Sequence, residues 1–166
     1  MEAVLAPEPT PGNNRRCAPP PGWHATPEHV MPDRTRTVQC VATPAAPAPG
    51  GHYAQATVHG GLVHVSGQLP VVAGAPHDTA APFEVQARRA IANLLAILTA
   101  AGSSPAGLLK VSAYIVGVEH WPAFNAVYAE MLGAAKPARS VITVPALHYG
   151  YLIEIDAVAA QERPPG

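Results

Sequence analysis

The stretch KPARSVITVPALHYGYLIEID, residues 136–156, contains two apolar, β-branched runs, and each carries a charge that does not look like a surface charge. Arg139 opens the run RSVITV, and Glu154 stands between Ile153 and Ile155. Residues of this type suit a pleated, partly buried surface, so both runs read as strands. In the second run, alternation sets Glu154, Asp156 and Val158 on one face and Ile153, Ile155 and Ala157 on the other. One face of the sheet is therefore apolar and the other mixed. The two charges admit two readings. They could pair as a structural salt bridge, or Arg139 could grip a carboxylate ligand through its planar fork while Glu154 handles a proton. Apolar flanks around Glu154 raise a carboxyl pKa, and a raised pKa suits proton transfer near neutral pH. Asp156 shares the face of Glu154 and is taken as structural.

Working back toward the N-terminus, WPAFNAVYAEMLG reads as a helix, with Pro122 at its start and Gly133 at its stop. LLKVSAYIVGV reads as a strand. FEVQARRAIANLLAILTAAG is the clearest helix in the chain: Ala87, Ile91, Leu94, Leu95 and Leu98 recur at helical spacing, Pro82 suits its first turn, and Gly102 its C-terminal cap. YAQATVHGGLVHVSGQLP holds two strands meeting at Gly60-Gly61, a hairpin signal. In its second strand Leu62, His64 and Ser66 share one face, and Val63, Val65 and Gly67 the other. Val38 and Cys40 suggest a first short strand. The order is three strands, a helix, a strand, a helix and two strands, an α+β pattern with a six-stranded mixed sheet. Two helices cover one face only, so the second face predicts self-association.

Composition limits the alternatives. The chain has 166 residues, 48% of them apolar and 13% charged, which is globular and long enough for one core. Its formal net charge of -1 gives no electrostatic reason to expect nucleic acid or an acidic membrane. No apolar run is long enough to span a bilayer, and MEAVLAPEPTPGNN does not read as a secretory signal. Cys17 and Cys40 make no disulfide framework and no zinc site, so a reduced, cytoplasmic protein is expected. The eight histidines show no metal-ligand spacing, and no metal or cofactor is expected. Eleven of the twenty prolines lie in residues 1–50. Residues 1–33 are accordingly read as a flexible tail, 34–160 as the folded domain, and 161–166 as a C-terminal tail.

The motifs YAQA, VSGQLP, a long helix ending in AAG, KVSAYIV, FNAVYAEML, PARSVITV and IEIDAVA stand in the order found in the RidA/YjgF family, which this chain resembles over roughly residues 36–160. No insertion is needed between Arg139 and Glu154 to match the family. The resemblance implies a chorismate-mutase-like fold and a homotrimer with ligand clefts between subunits. It also implies cofactor-free hydrolysis of enamine and imine intermediates, such as 2-aminoacrylate, to 2-keto acids and ammonia. On this resemblance Arg139 binds the substrate carboxylate, Glu154 handles the water, and Tyr53, Ser66 and Asn125 line the pocket. Gly67, lacking a side chain, lets a ligand approach the backbone.

The chain departs from the family at several points. Val141 stands where many members have cysteine, and His52 where proline is common beside the pocket tyrosine. The loop before the last strand reads LHYGYL, which adds His148, Tyr149 and Tyr151. His52 and Tyr149 thereby become candidate substrate contacts that could enlarge the range of substrates. Two other functions fit the same residues: a pathway-dedicated enzyme that cyclises, tautomerises or dehydrates a larger carbonyl or imine intermediate, and a binding protein for a small carboxylate without turnover.

Overall fold

The computed structural model describes residues 37–162. The tail expected over residues 1–33 and the end of the C-terminal tail lie outside that span. Three strands come first: β1 (Gln39–Val41), β2 (Ala56–His59) and β3 (Leu62–Gln68). Gly60 and Gly61, between β2 and β3, have φ of 57° and 78°. This is the two-residue turn whose twist matches the strands it joins, and it needs residues free of a Cβ. Helix α1 (Phe83–Ala100), β4 (Leu108–Val116), α2 (Trp121–Leu132), β5 (Ala138–Val144) and β6 (Ile153–Ala160) follow, in the order the sequence predicts. Pro82 is the residue flanking the start of α1 rather than part of its first turn.

The strands form one sheet in the order β1-β2-β3-β6-β4-β5. All neighbours are antiparallel except β4 and β5, which run parallel because α2 carries the chain back between them. Both helices lie on one face. Ala87, Ile91, Leu94 and Leu98 of α1 are buried with Val63, Val111, Ile115, Ile153 and Ile155 of the sheet. Burial of each large aliphatic side chain contributes about 1.5–3 kcal/mol, so this layer holds the fold together. Leu95, one of the residues at helical spacing, is only partly buried at its margin.

No element among the described residues covers the opposite face. It is mixed, as the parity of β6 predicts. Leu62 and Ile142 are 38% and 42% exposed there. Beside them the Tyr114 hydroxyl donates to Asp156 at 3.1 Å, and Lys110 Nζ donates to Ser140 at 2.6 Å.

Strict alternation fails between Leu108 and Lys110 of β4, and again at the end of β3. Val65 is paired with Ala157 and Gln68 with Ile155, so β3 has one more residue than β6 across this interval. The bulge reverses the parity of the end of β3. Gln68 turns to the helix side, where it is buried and donates to the carbonyls of Ser66 and Gly67. Gly67 faces the side chain of Glu154 instead of sharing the face of Val63 and Val65.

Two further points differ from the sequence reading. Gln161 and Glu162, assigned to a tail, are tied to the body: their amides donate to Gly61 and Gly102, each at 2.8 Å. Cys40 is disulfide-bonded, which corrects the expectation of reduced thiols. Too few cysteines for a framework still suffice for a single bridge. No helix among the described residues is long and apolar enough to cross a membrane.

Candidate functional site

The β3 bulge and the start of β6 form the floor of a cleft of about 530 Å³. Glu154 projects from β6 and packs over Gly67 so closely that a Cβ at Gly67 would overlap its carboxylate. The glycine is thus required by the glutamate as well as leaving backbone open. Half-burial pushes the Glu154 carboxyl above the usual carboxylate range; nearby His148 opposes this and the Asp156 charge adds to it. The ion pairs among the described residues are Arg88–Glu130 and Arg89–Asp78, so Glu154 has no salt-bridge partner there. A carboxyl whose pKa is raised by burial, at the floor of an open cleft, is suited to accept and return a proton.

The walls come from three loops. On one side the segment Pro47–Gly51 is held by buried Gln55, whose amide donates to the carbonyls of Ala46 and Pro47 at 3.2 and 2.8 Å. The hydroxyl of Tyr53 accepts from Gly50 N at 3.1 Å, so this ring braces the same wall. Ser66 donates its hydroxyl to Ala54 O at 2.7 Å, tying the approach to β2 onto the bulge. On the other side His77 stacks on Tyr149, with ring centroids 4.2 Å apart and planes at 27°. His77 Nδ1 lies 3.0 Å from the hydroxyl of buried Tyr151. Tyr149 has φ 62° and ψ 1°, a left-handed conformation that destabilises a non-glycine residue by about 1–2 kcal/mol. Gly150, at φ 84°, continues the turn. The loops bearing His77 and Tyr151 are tied to α1 by Gln86, which donates to Ala81 O and accepts from Leu152 N, both at 2.9 Å.

Arg139 lies elsewhere. It is paired with Val111 across β4–β5 and faces the helices, whereas Glu154 is paired with Tyr114 and faces away from them. Strand β4 separates the two, so they form no salt bridge within the chain. Arg139 donates to Asn125 Oδ1 at 2.9 Å, and its guanidinium sits 5.4 and 4.7 Å from the ring centres of Phe124 and Tyr128. The two tilted rings help hold the guanidinium in place. Its remaining N–H groups form no hydrogen bond with the described residues, which leaves a fork suited to a carboxylate.

Of the residues singled out from the sequence, Tyr53, Ser66, Gly67, Tyr149 and Glu154 line one cleft. Arg139 and Asn125 form a second group on the other face. His52 is exposed and does not line the cleft. His77, Gln55, Gln68 and the rings of Phe124 and Tyr128 were not legible as site residues. His77 and Tyr151 are 74 residues apart and obey no spacing rule. Phe124 and Tyr128 do read as a four-residue step on the face of Asn125, the one signal that could have placed rings beside Arg139.

The family model described as endoribonuclease L-PSP matches residues 43–161. A RutC family protein of Pyrococcus horikoshii is 36% identical over 124 residues, which is 75% of this chain and 98% of that protein. A Dermatophagoides farinae protein named 2-iminobutanoate/2-iminopropanoate deaminase is 31% identical over 122 residues, 74% of this chain and 95% of its own. Among solved structures, that of Escherichia coli TdcF with bound serine is similar at a TM-score of 0.66 and 31% identity, covering 74% of this chain and 98% of that one.

Proposed function

The chain belongs to the RidA/YjgF family, that of the endoribonuclease L-PSP model, and from that premise we propose that it hydrolyses 2-imino acids, and the enamines in equilibrium with them, to 2-keto acids and ammonia. The observation that carries the reading is Glu154, unpaired among the described residues, half-buried over Gly67 at the floor of a cleft. The substrate carboxylate pairs with the fork of Arg139. Glu154 takes a proton from water as the water oxygen bonds to the imine carbon. Glu154 returns that proton to the nitrogen to give the carbinolamine; the hydroxyl proton then passes to the nitrogen by the same carboxylate, the C=O bond forms and the C–N bond breaks, leaving the keto acid and ammonia. Reactive imines hydrolyse readily, so positioning and modest general acid–base help suffice. The net charge of -1 offers no comparable support for the ribonuclease in the family model's description.

One chain cannot bring Arg139 and Glu154 to the same substrate, because they occupy opposite faces of the sheet. The proposal therefore includes a homotrimer in which the open faces pack inward, and the edge strand β5 of one subunit brings Arg139 to the cleft around Glu154 of the next. Light scattering at micromolar concentration is expected to give three chains. Ammonia release is expected from 2-iminopropanoate generated in place by an amino-acid oxidase. A stable monomer would sink the shared cleft. A trimer that binds small carboxylates without releasing ammonia would make the protein a binder rather than an enzyme.

A further inference from the structure

We propose that the cleft selects 2-imino acids with a flat aromatic side chain, which stacks on the paired rings of His77 and Tyr149. The inference rests on the deaminase reading and deepens it by naming a substrate class. Tyr149 is 61% exposed, yet its ring is not loose. One face is taken by His77, and His77 is held in turn by the hydroxyl of Tyr151, which is only 1% exposed. A contact chain thus runs from the core to an exposed ring at the cleft. The backbone supports the same placement, since Tyr149 adopts its left-handed conformation although a glycine follows directly. An outlier of this kind, held by its surroundings beside a ligand-sized space, is the pattern expected where strain serves a site.

The space fits the guest. About 530 Å³ is in the range of pockets that take substantial ligands, and a three-carbon imino acid would leave most of it to water. The opposite wall, Pro47 to Gly51, carries no charge, and the Tyr53 ring extends it. Glu154 and His148 provide the ionisable groups near the floor, where the imine would lie. A branched aliphatic side chain would gain burial here but no stacking, and a charged one would lose water without a partner.

The test compares kcat/KM for ammonia release from the imines of phenylalanine and alanine, each generated by an amino-acid oxidase. The wild-type ratio is expected to favour the aromatic imine by about tenfold, the upper range for one aromatic pair. Tyr149→Ala is expected to lower that ratio about tenfold, and Tyr149→Phe to preserve it. A wild-type ratio at or below one, or equal losses for both imines in Tyr149→Ala, overturns the proposal. Calorimetric binding of phenylpyruvate and pyruvate separates the two readings. If neither imine releases ammonia, the deaminase reading fails. A Tyr149-dependent preference for phenylpyruvate would then still support the aromatic wall, and equal binding of the two acids would overturn it.

Discussion

Arg139→Ala is expected to lower ammonia release from an imino acid by at least about a hundredfold, because two charge-assisted hydrogen bonds to the substrate are lost together. Arg139→Lys is expected to fail nearly as far. A lysine ammonium is a point charge on a flexible stem, and it cannot present two parallel N–H groups from a planar group held beside the Phe124 and Tyr128 rings. Circular dichroism should show the fold retained, since Arg139 is part-exposed on an edge strand and its one hydrogen bond, to Asn125, is also exposed. Wild-type turnover in Arg139→Lys would remove the anchoring role. A sharper form of the experiment mixes Arg139→Ala chains with Glu154→Gln chains after dissociation. After random reassembly of equal amounts, about one cleft in four over all trimers draws an intact arginine from one chain type and an intact glutamate from the other, and activity should return in that proportion. Two inactive variants that stay inactive when mixed would place both residues in the same cleft-forming chain, which the sheet faces contradict.

Glu154→Gln is expected to reduce turnover by roughly a hundredfold or more, the scale of general acid–base catalysis, because the amide keeps the shape but cannot take the proton. Stability gives the contrasting readout. Burial raises the carboxyl pKa in the folded state above its unfolded value. The folded state therefore holds the proton more tightly, and the contribution of Glu154 to stability is full below the unfolded pKa and lost as pH rises through the folded one. At neutral pH glutamine removes that penalty, so the melting temperature should stay level or rise. The wild-type rate should climb with pH through the raised Glu154 pKa, and Glu154→Gln should lose that limb. A large fall in melting temperature with unchanged turnover would make Glu154 structural.

The order of elements along the chain, the two helices, the Gly60-Gly61 turn and the two faces of β6 were all readable, because each follows from local periodicity or from a turn that favours glycine. Tyr53, Ser66, Gly67, Tyr149 and Glu154 were legible as candidates, and the fold brings them to one cleft. The facing of Gly67 was not, because one extra residue in β3 reverses parity and no period announces a bulge. Nor was the separation of Arg139 from Glu154. Both lie on strands close in sequence, but the insertion of β6 between β3 and β4 leaves β5 at the sheet edge. His77 was invisible for a different reason: a loop histidine acquires meaning only from the ring it meets.

Four of the groups that fasten the cleft loops share a chemical property. Gln55 holds the Pro47 side, Gln68 the bulge, Gln86 the approaches to His77 and Tyr151, and Asn93 the carbonyls of Leu69 and Val71. All are carboxamides, which neither gain nor lose a proton across the range in which proteins stay folded. Acidification can therefore change the chemistry on the cleft floor without loosening these ties. These four ties and the carboxyl of Glu154 are chemically insulated from one another, so a change of rate with pH does not arise from the carboxamide ties coming apart.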